Sequence, residues 1–142
     1  MSESRELLAA REHLARGEAN YRSAAGLAEL EQGIGLLDDV MSAKNAGDRS
    51  IAESIAKSYA TRIYRSIGAL LEADRAVPEP LLEHLFKVVL VFDQSEIELP
   101  ENARTVKVEI ARRLIDRYYE GHSAERKREA LEQLTKIQKE SG

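Results

Sequence analysis

The histidines come first among residues able to do chemistry. His13, His84 and His122 stand in separate segments, without a partner four residues on or a carboxylate pattern suited to a metal. Two imidazoles share a metal from one helix only at such spacing, because residues four apart lie on one face. Each therefore reads as a surface or boundary residue. Asp38-Asp39 is the sole adjacent acidic pair and closes a helical stretch; a turn cap or ion pair suits it better than acid–base catalysis. Gly33 and Gly35 fall within a helical stripe rather than after a strand, so they make no phosphate-cradling loop. They read as positions where the first and third helices approach closely. Cysteine is absent, which removes thiol catalysis, disulfides and thiolate metal sites and suits a reducing cytoplasm. We expect no enzyme, no cofactor and no metal.

The arginines carry a more specific signal. At about 100° per residue, Arg62 projects near the rim of its helix's apolar stripe, on the side opposite Tyr64. Arg117 and Tyr119 repeat that relation. Arginine and tyrosine are enriched where interfaces concentrate binding energy, so the two pairs form a candidate rim for an acidic or peptide ligand. The plainer reading is that the arginines snorkel over the core edge and the tyrosines cover it. Lys107 projects into the middle of its stripe, which implies a solvent-exposed first turn or a lysine facing a groove. Arg62, Tyr64, Lys107, Arg117 and Tyr119 are thus the candidate partner-binding residues. A basic face for nucleic acid would consist of Arg104, Lys107, Arg112, Arg113 and Arg117. The net charge of −4 argues against it. From Glu101 onward, ten Lys/Arg stand against eight Asp/Glu, leaving −6 for the first hundred residues. The charged run Glu125–Glu129 reads as a solvated helix face.

The elements that must position these residues are helical. Abundant Ala, Leu, Glu and Arg, with three prolines and eight glycines in 142 residues, point to a single all-α domain. The organising stretch is Asp48–Asp74, where Ile51, Ile55, Ala56, Tyr59, Ile63, Ile67 and Leu70 recur at spacings of three and four. Asp48 or Ser50 is its expected cap. Before it, helices are expected over Ser4–Arg16, stopped by Gly17, and from about Tyr21–Ser23 to Ala43, with a turn at Asn45–Gly47. After it come Glu79–Asp93, a connector at Ser95–Asn102 extended near Glu96–Leu99, and a fifth helix opened by Pro100 and ended near Gly121. Ser123 caps a sixth, with Leu131, Leu134 and Ile137 on a narrow apolar edge. Lys87–Phe92 is rich enough in β-branched residues for a strand, but Leu82, Leu85, Val89 and Phe92 keep helical spacing. No apolar run reaches the length of a membrane span, and the charged N-terminal stretch has no apolar core for export.

A shift of 55 residues lays Leu27–Tyr64 on Leu82–Tyr119 without a gap. Eight pairs are identical: Leu27/Leu82, Leu30/Leu85, Asp38/Asp93, Arg49/Arg104, Ile55/Ile110, Ala56/Ala111, Arg62/Arg117 and Tyr64/Tyr119. Residues 22–76 and 77–121 are then two helical hairpins, and the first helix and 123–140 cap them. A lone hairpin cannot bury its apolar face, so repeated hairpins stack. Small residues at close-packing positions (Ala56, Ala60, Ala111), together with Leu14, Gly17 and Tyr21, give the chain an architectural resemblance to tetratricopeptide-like tandem helical-hairpin proteins. Its period is longer than that family's, and no functional residue transfers. The expected function is protein–protein contact: a partner helix or peptide held in a groove between hairpins. Self-association as a homodimer would use Val108, Ile115 and Tyr119.

Overall fold

Residues 4–43, 46–120 and 124–140 are described by a computed structural model of the chain. It is all-α, 82% helical, with six helices and no strand among the described residues. Helix α1 spans Arg5–Ala19, α2 Ala24–Met41, α3 Ala46–Ala73, α4 Glu79–Asp93, α5 Ala103–Tyr118 and α6 Ala124–Glu140.

Local chemistry explains most of these boundaries. Ser4 caps α1 by accepting from the Leu7 amide at 3.3 Å, and Ser23 caps α2 by accepting from Gly26 at 3.1 Å. After α3 the Asp74 carboxylate accepts from the Ala76 amide at 2.8 Å, turning the chain toward Val77-Pro78. Pro78 then stands at the N-cap of α4 and Pro80 in its first turn, where a missing amide costs nothing. Lys87–Phe92 is helical throughout.

Several expected boundaries move. Gly17 does not stop α1; it lies inside the helix, buried against Leu30 of α2. Pro100 does not open α5 but sits in a turn that Ala103 closes with a 3.0 Å amide bond to the Pro100 carbonyl. Because α3 begins at Ala46, Asp48 is within its first turn and Ser50 beyond it, so neither is the cap. Leu8 of α1 is exposed, whereas Leu7 and Leu14 are buried. Asn45, Gly121, His122 and Ser123 lie outside the described residues, as does the side chain of Ile137.

Packing runs through α2 and α5. Helix α2 contacts α1, α3 and α4, while α5 contacts α3, α4 and α6. The core is continuous from Leu7 and Leu14 through Leu30, Leu37, Ile63 and Ile67 to Leu85, Phe92 and Ile110. Tyr64 meets Phe92 edge-on, with ring centroids 5.7 Å apart, linking α3 to α4. Burial weakens toward the C-terminus: α6 packs chiefly on α5, and its Leu131 and Leu134 are only partly covered.

Candidate functional site

A depression on the described surface lies between the C-terminal half of α3 and the N-terminal half of α5, with a volume of about 620 Å³. Each helix contributes a second stripe, set beside its core stripe. On α3 this is Arg65, Gly68, Ala69 and Glu72, followed by Arg75; on α5 it is Thr105, Val108, Glu109 and Arg112. Both recur at spacings of three and four, so each set lies along one side of its helix. The floor is built from Gly68, Ala69, Leu71, Val106 and Val108. A Cβ placed on Gly68 would meet Asn102 and Val106 at 3.7 Å, an ordinary contact, so the floor has room for one there.

Arg113 closes one end. Its Nη1 donates to the Asp74 carbonyl at 2.8 Å, its Nη2 to the Leu71 carbonyl, and its Nε to Glu109 at 3.2 Å. A guanidinium is well suited to this place, because the last carbonyls of a helix lack amide partners and carry negative partial charge. At the other end the Asn102 amide reaches the Tyr64 carbonyl at 3.5 Å. Arg65, Arg75 and Arg112 have no hydrogen-bond or ion-pair partner among the described residues, and Glu72 is the one lining carboxylate in the same position. The groove therefore presents three uncompensated guanidinium groups to one carboxylate around an apolar floor. Such a site can hold an anion bidentately and bury a small apolar group beside it.

The residues expected to bind a partner do not line this groove, and they do not converge. Arg62 lies over the Tyr59 ring at 4.3 Å and pairs with Glu18 of α1 at 3.4 Å, so it joins α3 to α1. Tyr64 is a core residue, 1% exposed, not a rim residue. Its hydroxyl has no hydrogen-bond partner among the described residues, and burial pushes its pKa well above the ordinary tyrosine value. Lys107 stands half-exposed in a first turn open to solvent, one of the two expected placements, and there pairs with Asp93 at 2.5 Å. Arg117 and Tyr119 are partly covered at the far end of α5, where Tyr119 meets Tyr118 edge-on at 4.9 Å. Of the five cations considered for nucleic acid, Lys107 and Arg113 are engaged within the fold, and Arg112 lies in the groove.

Elsewhere the polar groups have structural roles. His13 donates from Nδ1 to Glu29 at 2.5 Å and Arg16 approaches the same carboxylate at 3.2 Å; those two bonds hold the Glu29 carboxyl below its ordinary pKa. His84 Nε2 donates to the Tyr21 carbonyl at 2.7 Å. Asp38 accepts from the Glu96 amide at 3.2 Å, while its repeat counterpart Asp93 makes the ion pair with Lys107. Burial nevertheless raises the Asp38 carboxyl above its ordinary value. No three His, Asp or Glu side chains converge as a metal site among the described residues.

Nothing in residue type marks the groove: Arg65 projects away from the core stripe of α3, and Gly68 is by type only a weak helix former. The signal available was the second stripe on each helix. Comparison with family models, curated proteins and solved structures gives no match to this chain, so the groove rests on its own geometry.

Proposed function

We propose that this chain is a non-enzymatic interaction module that takes a peptide or helix of a partner protein into the α3–α5 groove. One observation carries the proposal: an apolar floor of Gly68, Ala69, Leu71, Val106 and Val108, with room at Gly68, ringed by arginines that have no partner among the described residues. The packing order supports it. Helices α2 and α3 pack together, as do α4 and α5, and the two pairs meet through α2–α4 and α3–α5 contacts. The groove thus lies at a junction between pairs, as a hairpin-array reading of the sequence expects.

The same reading makes the pairs duplicates of tetratricopeptide-like form. Burial agrees at Leu30/Leu85, Ile34/Val89, Leu37/Phe92 and Ile55/Ile110, all buried at both positions. It diverges beyond, where buried Ile63 corresponds to Tyr118, which is 69% exposed. A duplicated hairpin whose last turns have lost their cover accounts for both facts. The cysteine-free composition supports a cytoplasmic setting, and no described helix is long and apolar enough to cross a membrane.

The test is differential capture. Tagged wild-type protein and Gly68→Trp, which would fill the floor, are used to retrieve proteins from the native cell extract, and both sets are identified by mass spectrometry. We expect at least one protein retained by the wild type and lost from Gly68→Trp. Identical sets would remove the groove from the function.

A further inference from the structure

Resting on the groove as the binding site, we infer that the partner segment it accepts is acidic: a short stretch in which carboxylates flank one or two apolar side chains. The argument is charge complementarity inside the groove. Arg65, Arg75 and Arg112 stand around it without partners among the described residues, while Arg113 is already engaged by Glu109 and the carbonyls of Leu71 and Asp74. Among the described lining residues Glu72 is the only opposing charge left. This positive spot belongs to a chain whose net charge is −4, so it is a local departure from the surface as a whole.

The division of labour follows from energetics. Ion pairs at exposed sites are individually weak and screened by salt. Three of them around a depression select the register and the charge of a ligand more than they supply its affinity. Affinity must come from the floor, and about 620 Å³ accommodates a few side chains. A nucleic-acid strand fits less well. It needs a row of free cations tracking successive phosphates, whereas here the cations encircle an apolar floor and Lys107 is already bound to Asp93.

Selection from a random dodecapeptide library displayed on phage tests the inference. The library is panned against the wild-type chain and counter-selected against Gly68→Trp. Enriched peptides should carry Asp or Glu beside Leu, Ile, Val, Phe or Met. Synthesised, the best of them should bind at least about tenfold more weakly to Arg65→Glu/Arg112→Glu, and more weakly as salt is raised. That double variant is a surface change, so it carries the test even where Gly68→Trp unfolds, which circular dichroism on both variants reports. Enriched peptides that are neutral or basic, yet sensitive to Gly68→Trp, overturn the acidic inference and leave the groove standing. Peptides indifferent to both variants, or none enriched, overturn both readings. A single-stranded oligonucleotide that binds the wild type more tightly than any enriched peptide, and is lost on charge reversal, reassigns the arginines to phosphate and overturns the inference.

Discussion

The seam between α1 and α2 and the groove between α3 and α5 are both built around glycine, with opposite results. In the seam a Cβ on Gly17 would fall 2.6 Å from Leu30, and one on Gly33 would fall 2.8 Å from Leu14. A Cβ on Gly26 would reach 1.8 Å from the Asn20 carbonyl oxygen. These glycines are consumed by packing: Leu14 and Leu30 occupy the space that side chains would need. In the groove a Cβ on Gly68 would sit 3.7 Å from Asn102 and Val106, so it fits without displacing either. Helix α3 forgoes about 1 kcal/mol relative to alanine at that position and gains no closer contact in return. Interior glycine therefore marks a tight interface only where a neighbouring side chain fills the vacancy. Where none does, it leaves a hollow.

Substitutions can break or sharpen this contrast. The largest loss is expected from Ile63→Ala, about 2–5 kcal/mol in a urea titration, because Ile63 is fully buried in the face of α3 turned to the core. Arg65→Ala, two residues on, should cost less than about 0.5 kcal/mol. Equal effects would mean that α3 does not present one buried and one open side. Within the seam, Gly26→Ala and Gly33→Ala should each cost about 1–3 kcal/mol by overpacking, with Gly26 the worse because it meets backbone. A neutral outcome at either in thermal unfolding would show the seam to be slack.

At the groove the expected effects are smaller. Arg113→Ala should destabilise by about 1–2 kcal/mol through loss of the carbonyl clamp on α3, whereas Arg112→Ala should leave the melting temperature nearly unchanged. Similar losses for both would place Arg112 in the fold and not in the site. Gly68→Ala should stabilise by about 0.4–1 kcal/mol, since the unfolded chain loses freedom and the folded one has room; a loss would mean that the hollow is closed.

The smallest effect depends on pH. Burial raises the Asp38 carboxyl, so the folded state holds that proton more tightly than the unfolded chain does. Stability from this group is present at acid pH and lost as pH rises through the raised value. Asp38→Asn keeps an acceptor for the Glu96 amide, and should give a slight gain at neutral pH that fades below the ordinary carboxylate range. A gain of equal size in acid would sink the burial explanation.

Much of the fold was legible in the sequence because it depends on short-range periodicity. Glu79–Asp93 is helical despite its β-branched run, since Leu82, Leu85, Val89 and Phe92 keep a stripe that a strand would split between two faces. Asp38 and Asp93 proved to be a turn acceptor and an ion-pair partner for equally local reasons. Other positions were read wrongly because the deciding neighbour lies far along the chain. Gly17 has the composition of a helix stop, yet Leu30 packs on it and the helix runs through. Gly33 approaches Leu14 of α1, as a close-packing glycine should, but from α2, while Gly35 faces open space. Tyr64 looks amphipathic by type and is buried against Phe92 from α4.

By itself the sequence determined the six helices, the core stripe of each and the two side stripes that carry Arg65 and Arg112. These follow from residue spacing, which fixes the face on which a side chain stands. Only the tertiary structure decided which stripes meet. It set Leu14 over Gly33 and left Gly68 uncovered, brought Arg113 onto the end of α3, and turned Arg65, Arg75 and Arg112 toward one hollow. The physical reason is that spacing constrains residues within a helix, whereas helix pairing is selected by the burial and side-chain fit of the whole chain at once.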